Sequence, residues 1–187
     1  MKKHLTPTLF CAALLVSATT RTAQAQVPTL PPQRTLIGDN PTADADIQTV
    51  HSYLNALLAG DTDKAKLLLA DTYRGYGPGA ADSTTRDQEM AKWQQAAKRQ
   101  LNPKVALWGQ TSFLVKVGPL RGTWVATWGT YTCTQAGKTI QVPFNVMDHI
   151  TKGKIDMERS FSDDLAPLLA LGYKLTPPAP AATPVTK

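Results

Sequence analysis

The sequence is poor in cysteine, histidine and long hydrophobic runs, and each shortage removes a class of protein. Of 187 residues, two are cysteine and three are histidine. Neither a CxxC nor an HExxH pattern occurs, so a dedicated zinc site lacks its ligands. No GxSxG nucleophile elbow is present. The glycines of GYGPG, residues 75–79, imitate a phosphate loop but lack its lysine and the helix that should follow at once, so they read as a turn. The apolar run from Leu9 to Val16 is far shorter than the roughly 20 residues that span a bilayer. Acidic residues number 14 against 20 basic ones, a net charge of +6 that is too mild to mark a nucleic-acid binder.

What is present begins with a leader, MKKHLTPTLFCAALLVSATTRTAQAQ. Lys2 and Lys3 precede the apolar run, and Ala23-Gln24-Ala25 supplies a small-x-small site, the layout of a signal peptide over residues 1–25 cleaved before Gln26. The expected location is periplasmic or extracellular. A lipid-modified cysteine wants a small residue before it, whereas Cys11 follows Phe10. Removing Lys2, Lys3 and Arg21 with the leader lowers the charge from +6 to +3. It also leaves Cys133 alone, so no intrachain disulfide can form and packing must hold the fold. Residues 26–41 and 176–187 are proline-rich and read as an extended arm and a disordered tail around one domain, residues 42–175.

Within that domain, Ile47, Val50, Leu54, Leu57 and Leu58 form a helical stripe over residues 43–59, with Thr42 as N-cap and Asp44 and Asp46 in the first turn. Gly60 suits a left-handed helix end, and Asp61 caps a second helix carrying Leu67, Leu68 and Leu69. Thr85 and Gln88 suggest a capping box for a third helix with Met90, Trp93, Ala97 and Leu101 on one side. From Val105 the period becomes two, predicting successive strands with turns at Gly118-Pro119, Gln135 to Lys138 and Thr151 to Lys154. DLAPLLALGY then closes the domain as a short helix. The class is α+β with a mainly antiparallel sheet. In TWVATWGTY, Trp124, Ala126 and Trp128 share one strand face and Val125 and Tyr131 the other, so both faces call for cover; a dimer partner, edge loops or the arm could supply it.

This order of elements, with SYLNALLAGDTD, LLLADTY, DHITKGKID and FSDDLAPLLALGY, resembles the nuclear transport factor 2-like superfamily, in particular its SnoaL-like and ketosteroid-isomerase-like branches, over residues 44–173. The resemblance implies a cone-shaped curved sheet wrapped around three N-terminal helices, an apolar pocket between them, and homodimers. Ketosteroid isomerases use a carboxylate base with a tyrosine and a protonated acid holding the oxyanion. Carried over by the resemblance, the tyrosine falls on Tyr53, the base on Gly77 and the second acid on Asn145. Glycine accepts no proton and an amide does not titrate as an acid.

Asp148 and His149 are adjacent on a strand and therefore point to opposite faces. His149 shares a face with Asn145 and Met147, which predicts a polar patch of Tyr53, Asn145 and His149 with Asp156 or Glu158. Ligand contacts are expected from Tyr53, Trp93, Trp124, Trp128, Asn145, Met147 and His149. Two readings follow. One is a non-enzymatic exported module that binds a small apolar or amphipathic molecule or serves assembly, without metal or cofactor. The other is a SnoaL-like enzyme performing proton transfer, cyclisation or hydration on a small carbonyl compound, with His149 or Asp148 as base and Tyr53 as donor. The glycine at the base position weighs towards the first.

Overall fold

The computed structural model describes residues 31–79 and 81–176. The leader, residues 26–30 of the arm and residues 177–187 of the tail lie outside them. The described part of the arm carries a short helix, α1 (Gln33–Leu36), and a two-residue strand, β1 (Ile37–Gly38). Then follow α2 (Ala43–Leu58), α3 (Thr62–Leu67), β2 (Leu69–Tyr76), β3 (Ser83–Thr85), α4 (Arg86–Ala97), β4 (Gln100–Val115), β5 (Gly122–Gln135), β6 (Lys138–Thr151), β7 (Lys154–Ser162) and α5 (Leu165–Leu171). Among the described residues, seven strands form one sheet in the order β1-β4-β5-β6-β7-β2-β3, antiparallel except where β2 runs parallel to β7. The fold is an open, curved α+β sheet with α2, α3 and α4 on its concave side.

Local chemistry explains most boundaries. Gly60 takes a left-handed φ of 72°, which turns α2 sharply into α3, and the Asp61 carboxylate accepts from the Lys64 amide at 3.0 Å. Thr85 and Gln88 form the capping box of α4. The β5–β6 and β6–β7 hairpins turn on Ala136-Gly137 and Lys152-Gly153, each pair left-handed, the two-residue loop that matches strand twist.

Three expectations need correction. Leu69 is the first residue of β2, not part of α3, because the chain leaves α3 at Leu67 to add two strands beyond β7. Leu101 belongs to β4, where it is 64% exposed, since α4 ends at Ala97. The Thr42 hydroxyl caps no backbone amide; it bonds the side chains of Asn40 and Asp46 at 2.9 Å each. Asn40 also donates to Asp46 at 2.8 Å and to Ser112 at 2.6 Å. This network satisfies the buried Asp46 and fastens the end of the arm to β4.

The core joins Val50, Tyr53, Ala56 and Leu57 of α2 to Ala65, Leu69, Tyr73, Met90, Val125, Ile150 and Ile155. Each large apolar side chain buried there is worth about 1.5–3 kcal/mol. On the opposite face Trp124 is also buried, because the β4–β5 loop folds over it: its indole N–H donates to the Leu120 carbonyl at 2.9 Å.

Candidate functional site

The most unusual chemistry lies on the concave face. Strand register places Ser112, Val125, Asp148, Glu158, Gly75 and Thr84 in one row across the six strands β4, β5, β6, β7, β2 and β3. Asp148 and Glu158 are therefore adjacent carboxyls under the helices. Tyr53 reaches them from the middle of α2, where the buried positions Asp46, Val50, Tyr53 and Leu57 recur at helical spacing. Tyr73 stands two residues before Gly75 on β2 and leans across it. A Cβ at Gly75 would lie 2.8 Å from the Tyr73 hydroxyl and 2.7 Å from Thr84 Oγ1, so the missing side chain is what admits the phenol.

Tyr53 is 3% exposed, Tyr73 0% and Asp148 2%. Yet the two hydroxyls and Asp148 Oδ1 are buried with no hydrogen-bond partner among the described residues. Leaving a buried polar group unsatisfied costs about 1–3 kcal/mol, so three in one cluster signal a purpose other than stability. Burial pushes the Asp148 carboxyl well above the usual range, and neighbouring Glu158 adds to the rise. Burial, then the charge of Glu89, raises Glu158 to about 8, partly offset by the Tyr73 hydroxyl, which lies near the carboxyl but outside hydrogen-bond geometry, and by the Lys92 ammonium. Both tyrosines are raised, chiefly by burial and then by Glu158, and so remain protonated donors. Glu89 itself is well held: it accepts from Trp93 Nε1 at 3.0 Å and from Thr84 Oγ1 at 3.1 Å.

The sequence-expected patch of Tyr53, Asn145 and His149 does not assemble. Asn145, Met147 and His149 lie on the outer face of β6, opposite to the face that carries Asp148 and packs on Tyr53. There His149 Nδ1 pairs with Asp156 Oδ1 at 2.5 Å, and the ring sits 4.9 Å from that of Trp124. Trp128 shares that face, over Gly109, where a Cβ would come within 2.4 Å of its ring. Trp93 is on the helix side, edge-on to Tyr131 at 6.2 Å. It lines an apolar groove of about 180 Å³ with Leu57, Leu58, Ala97, Pro103 and Tyr131. At Gly77, φ is 113° and a Cβ would lie 2.1 Å from the Ser160 carbonyl oxygen, so no carboxylate fits there. Glu158 and Tyr73 were missed as principal groups. One signal was readable: Ile140, Val142, Phe144, Val146 and Ile150 make one face of β6 apolar, and Asp148 interrupts it.

No protein-family model and no curated protein matches this sequence. Solved structures do match its fold. A protein described as a SnoaL-like polyketide cyclase, from Jannaschia sp. CCS1, aligns with a TM-score of 0.59 at 15% identity, covering 74% of this chain and 99% of that one. An LEH-like epoxide hydrolase from M. tuberculosis gives 0.54 at 19% identity, covering 70% and 97%. A protein with a ketosteroid-isomerase-like fold from Catenulispora acidiphila DSM 44928, in complex with trimethylamine, gives 0.55 at 14% identity, covering 70% and 98%. The architecture is thus that of a curved-sheet α+β cone. It is the nuclear transport factor 2-like fold.

Proposed function

We propose that this chain is an exported small-molecule enzyme that moves a proton on a small, largely apolar carbonyl compound bound between α2 and the concave sheet. The observation that carries the reading is the buried, unpartnered cluster of Tyr53, Tyr73 and Asp148 beside Glu158. Grouped carboxyls with raised pKa values, set among apolar walls, are characteristic of sites that do acid–base work. Protonated Asp148 and Tyr53 are placed to donate hydrogen bonds to an acceptor oxygen. Glu158, raised to about 8, is ionised in a minority of molecules near neutrality and is then a strong base for a proton on the neighbouring carbon. Export rests on the leader pattern, and a homodimer on the resemblance. The purely binding module is the competing reading, and the same cluster would serve it by hydrogen-bonding a ligand oxygen.

The test is a panel of small enolisable carbonyl compounds in D2O, with deuterium incorporation followed by mass spectrometry. Exchange by the native chain that falls at least about 100-fold in Glu158→Gln and Asp148→Asn supports catalysis, in line with typical general acid–base contributions. Compounds that bind in the interior without exchange would assign the chain to binding alone.

A further inference from the structure

The groove beside Trp93 has a property that the interior cluster does not explain. It is open, apolar and walled by an edge-to-face aromatic pair, Trp93 and Tyr131, with Pro103 and the α2 C-terminus around them. Aromatic-walled grooves of this kind suit proline-rich chain, whose polyproline II form loses little entropy on docking. Such chain lies beyond α5, after the five residues 172–176. Residues 177–187 read PPAPAATPVTK, with prolines at 177, 178, 180 and 184.

The exit point of the last helix fits this occupant. α5 is held on the rim of the sheet by Lys138, whose ammonium donates to the Ala170 carbonyl at 2.7 Å. Lys138 pairs with Gln135, and Gln135 with Gln100, a groove residue. Two strand spacings separate Lys138 from Gln100, about 10 Å. Eleven residues in polyproline II form reach about 34 Å. A tether this short gives an effective concentration on the order of millimolar, so even a weak contact is occupied.

We propose that the groove lined by Trp93, Tyr131 and Pro103 is the docking site of the chain's own C-terminal segment, residues 177–187. Docked there, the segment covers the indole whose N–H is bonded to Glu89, the carboxylate that acts on Glu158 through its charge. It would compete with any ligand that enters by the groove.

The experiment compares 1H–15N spectra of the full chain from Gln26 with one ending at Thr176, which keeps every described helix and strand, and then adds the free peptide PPAPAATPVTK. The expected result is a shift of the Trp93 indole and of the Gly60, Ala97 and Gln100 amides on truncation, reversed by millimolar peptide. Shifts confined to Tyr173–Thr176, or a peptide without effect at several millimolar, overturn the proposal. Should the shorter chain fail to fold, the full chain with Pro177, Pro178 and Pro180 changed to glycine must show the same groove shifts. Groove shifts in the full chain that fade on dilution would mean docking on a second copy, which also overturns it.

Discussion

Asp148 and Glu158 are direct cross-strand partners on the buried face of the sheet, between Val125 on one side and Gly75 on the other. Burial raises both carboxyls above their usual range; the charge of Glu158 adds to the rise at Asp148, and that of Glu89 to the rise at Glu158. The pair is costly to the fold, and the cost depends on pH.

That dependence is open to measurement. Glu158 is raised from 4.5 to about 8, so between these values the folded state holds a proton that the unfolded chain has released. Stability from this group is complete below about pH 4.5 and falls as pH rises to about 8, by on the order of 5 kcal/mol in total. Glu158→Gln cannot titrate. Urea unfolding of this variant is expected to show a flatter profile and greater stability than the native chain at pH 8.5.

The unpartnered phenol of Tyr53 makes a second case. Tyr53→Phe removes a buried hydroxyl that lacks a partner, so this variant should be as stable as the native chain or up to about 2 kcal/mol more stable. Interior ligand binding should weaken by about tenfold or more in Tyr53→Phe. Paired denaturation and titration measurements check both outcomes, and destabilisation above about 1 kcal/mol would contradict the first.

Gly75→Ala sets a methyl group against the Tyr73 hydroxyl and Thr84 Oγ1. It should destabilise by about 1–3 kcal/mol. In a Tyr73→Phe background the phenolic contact is gone and the loss should shrink, a coupling that a double-mutant cycle reads directly.

On the outer face Gly122 has φ 142° and lies under His149, with a Cβ position 2.1 Å from Nε2. Gly122→Ala should displace the imidazole from Trp124 and the Asp156 carboxylate, costing about 1–3 kcal/mol. The interior titration should be unchanged, because the two faces are separate. Near-UV circular dichroism reports the altered Trp124 environment.

What could be read in the residues was local. The Asp61 cap, the Thr85-Gln88 box, the Gly60 corner and the two hairpin turns each depend on a few neighbours, and each is found where its chemistry points. LLLADTY was harder, because three consecutive leucines carry no period that tells helix from strand, and Leu69 begins an outlying strand. The site was obscured for another reason. Alternation separates Asp148 from His149 but does not say which face meets the helices, and a register shift at His149/Ile150 hides the alignment of β7, and with it Glu158, from any simple count. Gly75 and Glu158 become neighbours only once β2 lies beside β7.

The central claim is that the concave face holds protonated carboxyls at neutral pH, and the direct measurement is a carbon-13 titration of the Asp148 and Glu158 side-chain carboxyls in the folded chain. The account predicts that Asp148 stays protonated through pH 7 and that Glu158 titrates near 8. Ordinary titration of both groups near pH 4 would contradict it.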